Sequence, residues 1–243
     1  MVKNTIFFIT LLSMIFIFGC GSEQAKNTTS RDWQYLFDGK TLNGWVQRGG
    51  KARYHVEAGA IVGTTVPDTP NSFLCTQKHY SDFILELEFK VDERLNSGVQ
   101  IRSNSFPEYK NGRVHGYQVE IDPSTKPYTK KPKNLLADGS FASAGQPRRW
   151  TGGIYDEGRR GWLYDLTKNE KARNAFKSSQ WNHFRIEAIG DSIKTWVNGV
   201  PAADLKDPET SSGFIGLQVH SAKSPVPLFI KWRNVKIKDL SRN

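Results

Sequence analysis

The 243-residue chain carries 34 Lys and Arg against 24 Asp and Glu, a formal net charge of +10, with 12% aromatic residues and two cysteines. The positive balance invites an anionic partner, but no zinc-ligand spacing, recognition helix or interleaved aromatic platform accompanies it, so nucleic acid is excluded as the expected partner. With Cys20 inside an export signal, Cys75 is the single thiol of the folded part, which excludes an internal disulfide.

The chain opens with Lys3, an apolar stretch from Ile6 to Phe18, and Gly19-Cys20. That stretch is shorter than the roughly 20 residues that span a bilayer, so it reads as a cleaved secretory signal. Ile17-Phe18-Gly19-Cys20 resembles a lipobox, which implies lipidation of Cys20 and anchoring in the bacterial cell envelope; ordinary signal cleavage is the alternative. Residues 21–31 are small and polar, as in a flexible tether, and one folded domain is expected over 32–241.

Within that domain Tyr54–Val56 and Ile61–Val62 flank the turn Glu57-Ala58-Gly59, and Ser72–Thr76 places Cys75 in an apolar, core-like run. Phe83, Leu85, Leu87, Phe89 and Val91 alternate with polar neighbours, the period of a half-buried strand. The same alternation returns at Val99/Ile101, Tyr117/Val119/Ile121, Phe184/Ile186/Ala188, Ile193/Thr195/Val197 and Ile215/Leu217/Val219. Gly190-Asp191 and Asn198-Gly199 are tight-hairpin signals between strands. Pro123 to Arg149, with four prolines and the basic cluster Lys126, Lys130, Lys131, Lys133, Arg148 and Arg149, reads as one long solvated loop. A short helix is expected over 169–176. The sum is an all-β sandwich or jelly roll of two antiparallel sheets.

Alternation also assigns faces. If Tyr117, Val119 and Ile121 point into the core, then Gln118, Glu120 and Asp122 point the other way, the two acids with Cα atoms about 6.6 Å apart. That spacing lets one carboxyl raise the pKa of the other, or lets both grip a divalent cation. On the same reasoning Gln100 and Arg102 leave the core face of their strand, and Gln218 and His220 leave that of theirs. Planar polar groups on three strands suit a saccharide, and aromatic rings complete such a site by stacking. Trp150 and Tyr155 flank the glycine-rich Thr151 to Asp156 segment and, with Asp156, are candidate sugar contacts; Trp33, Trp45, Trp181 and Trp232 are expected in the core.

Leu36-Phe37-Asp38-Gly39 through Gly44-Trp45, Asn96-Ser97-Gly98, Gly116 to Asp122, Thr151 to Asp156, Trp181-Asn182, Gly216 to His220 and Arg233-Asn234-Val235 occur in one order. In this the chain resembles the 3-keto-disaccharide hydrolase family, also described as 3-keto-glucoside 1,2-lyase and 3-keto-2-hydroxyglucal hydratase domains. The resemblance implies a concanavalin A-like jelly roll and an exported enzyme acting on glycosides already oxidised at C3 by a separate sugar 3-oxidoreductase. It further implies C2 proton abstraction and C1 elimination, with hydration of the product giving net hydrolysis. Glu120, His220, Asp122 and Arg102 are then the candidate catalytic groups, with Glu120 or His220 as base and Arg102 as enolate stabiliser, a divalent cation being allowed beside it. Gln118, Gln218, Gln100, Trp150, Tyr155 and Asp156 are the candidate substrate contacts. Two rival readings use the same polar face: a lectin-like glycan-binding lipoprotein without turnover, and a retaining glucanase. The second needs paired carboxyls at about 5 Å, yet the strand continues after Asp122 into Pro123-Ser124-Thr125 without a second glutamate.

Overall fold

The computed structural model describes Met1 and residues 32–126 and 148–241. The signal segment, Cys20, the tether and residues 127–147 of the long loop lie outside the described residues. No helix among those described is long and apolar enough to cross a membrane.

The strands are β1 (Gln34–Tyr35), β2 (Trp45–Gly49), β3 (Arg53–Glu57), β4 (Ala60–Thr64), β5 (Ser72–Thr76), β6 (Phe83–Val91), β7 (Ser97–Asn104), β8 (His115–Ile121), β9 (Ile154–Glu157) and β10 (Gly161–Tyr164), followed by helix α1 (Glu170–Ala175). β11 (Asn182–Ile189), β12 (Ser192–Val197), β13 (Val200–Lys206), β14 (Phe214–Val219) and β15 (Phe229–Asp239) complete the chain. They form two antiparallel sheets, in the orders β13-β12-β11-β6-β15-β4-β3, with β1 beside β15, and β10-β9-β8-β7-β14-β5-β2. The sandwich foreseen from alternation is the architecture found. Asn198 and Gly199 both take positive φ (49° and 81°), the backbone of the tight hairpin that joins β12 to β13. Asn169 caps α1 by accepting the Ala172 N–H, and Ala172 and Phe176 bury its inner side.

Phe83, Leu85, Leu87, Phe89 and Val91 of β6 meet Val99, Ile101, Val119, Ile121, Ile215 and Leu217 of the facing sheet in one core. The outer surfaces of the two sheets differ. That of the β6 sheet is a wet charge ladder, in which Arg185 reaches Glu86 (2.7 Å), Arg233 reaches Glu88 (2.6 Å) and Lys236 reaches Glu86 (3.0 Å). On the other sheet every residue of β5, β8 and β14 is buried, on both faces. Polar side chains on its outer face are therefore out of water, which sets up the chemistry there. Trp45 and Trp232 lie in the core as expected, whereas Trp33 is half-exposed beneath Lys236 (4.5 Å) and Trp181 stacks under Arg233 (4.1 Å). Cys75 is buried, but in a small separate cluster with Phe73, Val114 and Phe214, where burial pushes its thiol up to about 12.

One irregularity decides where a candidate catalytic residue goes. The β7–β8 register shifts between Ile101 and Asn104, and Arg102 takes φ +46°, a bulge in β7. The bulge brings Arg102 and Ser103 so close to β14 that a Cβ on Gly213 would stand 2.3 Å from the Ser103 carbonyl oxygen; only glycine fits. Arg102 is thereby turned away from the polar face. Its guanidinium, 1% exposed, donates to the Ser81 and Gly190 carbonyls (both 2.6 Å) and to Asp82 (2.9 Å), tying the bulge to the β5–β6 loop and the β11–β12 turn. Arg102→Ala leaves the Ser81 and Gly190 carbonyls without their side-chain donor, while Asp82 keeps the Gly190 N–H (3.0 Å), and should lower the unfolding free energy by about 2 kcal/mol in denaturant titration; an unchanged midpoint would show the clamp to be idle.

Candidate functional site

The outward side chains of β7, β8 and β14 converge because the three strands are neighbours in register: Gln100 faces Gln118, and Gly98 faces both Glu120 and Gln218. Gly98 is the gap that makes room, since a Cβ there would lie 2.4 Å from Gln118 Cγ. Into that gap fits a ladder of amides. Ser103 Oγ donates to Gln100 Oε1 (2.7 Å), Gln100 Nε2 to Gln118 Oε1 (2.6 Å), Gln218 Nε2 to the same Gln118 oxygen (2.8 Å), and Gln118 Nε2 to Glu120 Oε2 (2.7 Å). Asn96 Nδ2, from the turn before β7, donates to Glu120 Oε1 (2.6 Å).

Glu120 is thus buried with both oxygens held. Burial pushes its carboxyl up to about 8, and the charges of Asp122 and then Glu157 add to the effect; the Asn96 and Gln118 N–H groups pull it down without cancelling it. At neutral pH the group carries a proton. The ladder can accommodate that state by turning its amides over: Gln218 Oε1 is buried without a hydrogen-bond partner, and Ser103 Oγ has the Ile101 and Tyr117 carbonyls (3.0 and 3.3 Å) as other acceptors. Asp122 is raised too, by burial first and against the pull of Arg148, which donates to its Oδ1 (2.9 Å).

A cleft of about 210 Å3 opens over Glu120, lined by Asn96, Gln118, Arg148, Tyr155, Glu157, Trp162 and His220. His220 follows β14 and is part-exposed. Its Nδ1 lies 2.7 Å from the Ser221 carbonyl oxygen, which can only accept, so the neutral ring carries its proton on Nδ1 and keeps a basic Nε2. Tyr155 and Trp162 meet edge to face at 5.4 Å and supply the aromatic wall. A proton-bearing carboxyl, an imidazole and a guanidinium in one cleft are the parts of acid–base chemistry.

The structure brings Glu120, His220, Gln118 and Tyr155 to this cleft. Gln100 and Gln218 lie behind it, fully buried and engaged with Gln118 rather than open to a ligand. Asp122 backs Arg148 and lines a neighbouring cavity. Three expected members are elsewhere. Arg102 is removed by the bulge. Trp150 is 0% exposed, packed edge to face against Trp162 at 4.8 Å, so it supports the aromatic wall from the core and stacks on no ligand. Asp156, on the inward face of β9, is buried against Arg159 (2.7 Å) and Arg160 (2.5 Å), whose guanidinium also holds Asp207. The cleft gains Asn96, Arg148, Glu157 and Trp162, of which Glu157 follows from the alternation Tyr155/Glu157 once β9 is recognised as a strand. Among the described residues no three His, Cys, Asp or Glu side chains converge on a metal position, and both Glu120 oxygens are already engaged. The donor set does not fit the divalent cation that the sequence allowed.

The family model of the 3-keto-alpha-glucoside-1,2-lyase-like domain matches residues 32–238. The chain belongs to this family. No curated protein sequence matches it. Among solved structures, a candidate glycosyl hydrolase from Parabacteroides distasonis is similar at 19% identity, with 86% of this chain and 94% of that one covered and a TM-score of 0.55. A prokaryotic β-1,3-1,4-glucanase (lichenase) derived from a mouse hindgut metagenome aligns at 11% identity over 86% of this chain and 99% of its own, TM-score 0.52. A Bacillus subtilis protein with a galectin-like fold aligns at 11% identity over 83% and 92%, TM-score 0.54. At these identities the lyase-like domain shares with them its jelly-roll fold.

The raised carboxyl makes a stability prediction for this lyase-like domain. A group whose folded-state pKa lies above its unfolded value stabilises below the unfolded value, and that stability is lost as pH rises through the folded one, here from 4.5 to about 8. Glu120→Gln removes the ionisation, so its melting temperature should exceed that of the parent at pH 8 and approach it near pH 5, a gap worth a few kcal/mol on the order of magnitude. Thermal denaturation across that range checks it; a constant gap would mean that Glu120 ionises normally.

Proposed function

We propose that this member of the 3-keto-glucoside lyase-like family is a carbohydrate-active enzyme that cleaves 3-keto-glucosides by elimination across C1 and C2, with hydration of the product giving net hydrolysis. The observation that carries the reading is the pairing, in one cleft, of a carboxyl that holds its proton at neutral pH with an imidazole that presents a basic Nε2.

The C3 ketone of such a substrate acidifies the C2 proton. His220 Nε2 takes that proton, and the C2–H electron pair becomes an enolate on the C3 oxygen. Arg148 and Asn96, the cation and the amide donor of the cleft, supply the stabilisation first assigned to Arg102. As the enolate returns its electrons to form the C1–C2 double bond, the C1–O bond breaks and Glu120 protonates the leaving oxygen. Glu120 is then a carboxylate and His220 a cation. Glu120 can draw a proton from water adding to C1 while His220 returns one to C2, which completes hydrolysis and resets both groups. The family match and the carbohydrate-enzyme fold support this assignment. A glucanase mechanism is less well supplied, because Asp122, the second acid of the strand, is committed to Arg148. Export, lipidation at Cys20 and supply of the ketone by a separate sugar 3-oxidoreductase belong to the same proposal.

Turnover of a 3-keto-glucoside to the unsaturated keto sugar, with no action on the unoxidised glucoside, is the expected result. The rate should fall as pH rises through about 8, where Glu120 loses its proton. Glu120→Gln and His220→Ala should each slow turnover by about 100-fold or more. If both variants turn over at the parent rate, the site is elsewhere.

A further inference from the structure

The cleft over Glu120, at about 210 Å3, is smaller than the roughly 300–1,000 Å3 of most small-molecule sites. Beside it, across the shared wall of Asn96 and Arg148, lies a cavity of about 430 Å3 bounded by the β6–β7 turn and the two described ends of the long loop. Four cations line it: Arg94, Lys126, Arg148 and Arg149, against the acids Glu93 and Asp122.

The partners of these charges differ. Arg94 is paired by a two-armed contact with Asp92 (2.7 and 2.9 Å), whereas Arg148 gives Asp122 a single N–H (2.9 Å). Glu93 accepts from the hydroxyls of Ser178 (2.5 Å) and Ser179 (3.0 Å). The Nε–H groups of Arg148 and Arg149 are both buried without an acceptor among the described residues. These Nε atoms face away from solvent, so a ligand would meet the guanidinium ends and the exposed Lys126. Arg149 also lies in the field of the Glu93 carboxylate, which, after the Ser178 and Ser179 hydroxyls, it helps to hold below its ordinary value. Arg149 is moreover held at φ +70°, a left-handed conformation disfavoured for a side-chain-bearing residue, pinned by its N–H to the Ser124 carbonyl (2.9 Å). The backbone thus holds this cation at the cavity wall against its own preference.

We infer that this second cavity is a binding subsite for an anionic group, carboxylate or sulfate, on the C1 substituent of the glycoside whose sugar occupies the cleft over Glu120. Lys126 and Arg149 are its specificity residues. The inference deepens the proposed function and rests on it for the identity of the ligand, while the subsite itself can be tested by binding.

The test compares, with the purified full chain, three 3-keto-glucosides alike except for the C1 substituent: phenyl, carboxyphenyl and sulfooxyphenyl. Turnover and calorimetric binding of the corresponding unoxidised glucosides are measured for the parent, Lys126→Ala, Arg149→Ala and Arg149→Lys. The expected result is a kcat/KM preference for both anionic substrates of about tenfold or more. That preference should fall with rising ionic strength and in the two alanine variants, and survive in Arg149→Lys, with the rate on the neutral phenyl substrate unchanged throughout. Preference for carboxylate alone or sulfate alone identifies the anion. Equal kcat/KM for neutral and anionic substrates overturns the subsite while leaving the lyase reading intact. No turnover of any 3-keto-glucoside, with tighter binding of the anionic glucosides that Arg149→Ala abolishes, overturns the lyase reading and upholds the subsite.

Discussion

A carboxyl that has exchanged water for two side-chain amides lies at the centre of the candidate site. Taking Glu120 out of water makes its charged form costly, and the Asn96 and Gln118 donors offset part of that cost without restoring an ordinary acidity. The arrangement requires a sheet buried on both faces, so that Gln100, Gln118 and Gln218 can be spent on one another and not on solvent. It also requires Gly98, where any side chain would displace Gln118. The sandwich provides the first through its tightly covered β5, β8 and β14, and the β7–β8–β14 register provides the second. Fold and site are coupled at this point, because the backbone that closes the core also removes water from the acid.

The two outer surfaces show how one architecture serves different ends. On the β6 sheet, acids and bases alternate across strands in reach of water, where each pair contributes little and the set keeps the face soluble. On the β8 sheet, polar groups are fewer, uncharged apart from the acids, and linked in a chain that ends on Glu120. Such a network is stable only when nearly every donor finds an acceptor. The amide ladder meets that condition and can reverse its polarity when Glu120 changes protonation state.

Much of this was legible in the sequence. Period-two alternation placed Tyr117, Val119 and Ile121 in the core, and so put Gln118 and Glu120 on the face shared by Gln100 and Gln218. What it could not show was where the period breaks. Arg102 lies one residue beyond Ile101 on the nominal polar side, but the bulge rotates it to the end of the sandwich, and the tight approach of Gly213 that accompanies the bulge is a long-range contact with no local signature. Asp156 went astray for the opposite reason: residues 154–157 form a short strand, and treating them as a glycine-rich loop hid the alternation that sends Tyr155 and Glu157 outward and Asp156 inward. Trp150 sits between a charged pair of arginines and a glycine turn, a setting that reads as exposed, yet the turn folds the indole under Trp162. Asn96 and Arg148 reach Glu120 and Asp122 from turns distant in sequence, and only the fold juxtaposes them.

The most direct measurement is a carboxyl-carbon NMR titration of the glutamate-labelled protein. One resonance, identified by its disappearance in Glu120→Gln, should titrate near pH 8. Titration of that resonance near the ordinary glutamate value of 4.5 would contradict the account, because the cleft would then hold a carboxylate with no proton to give.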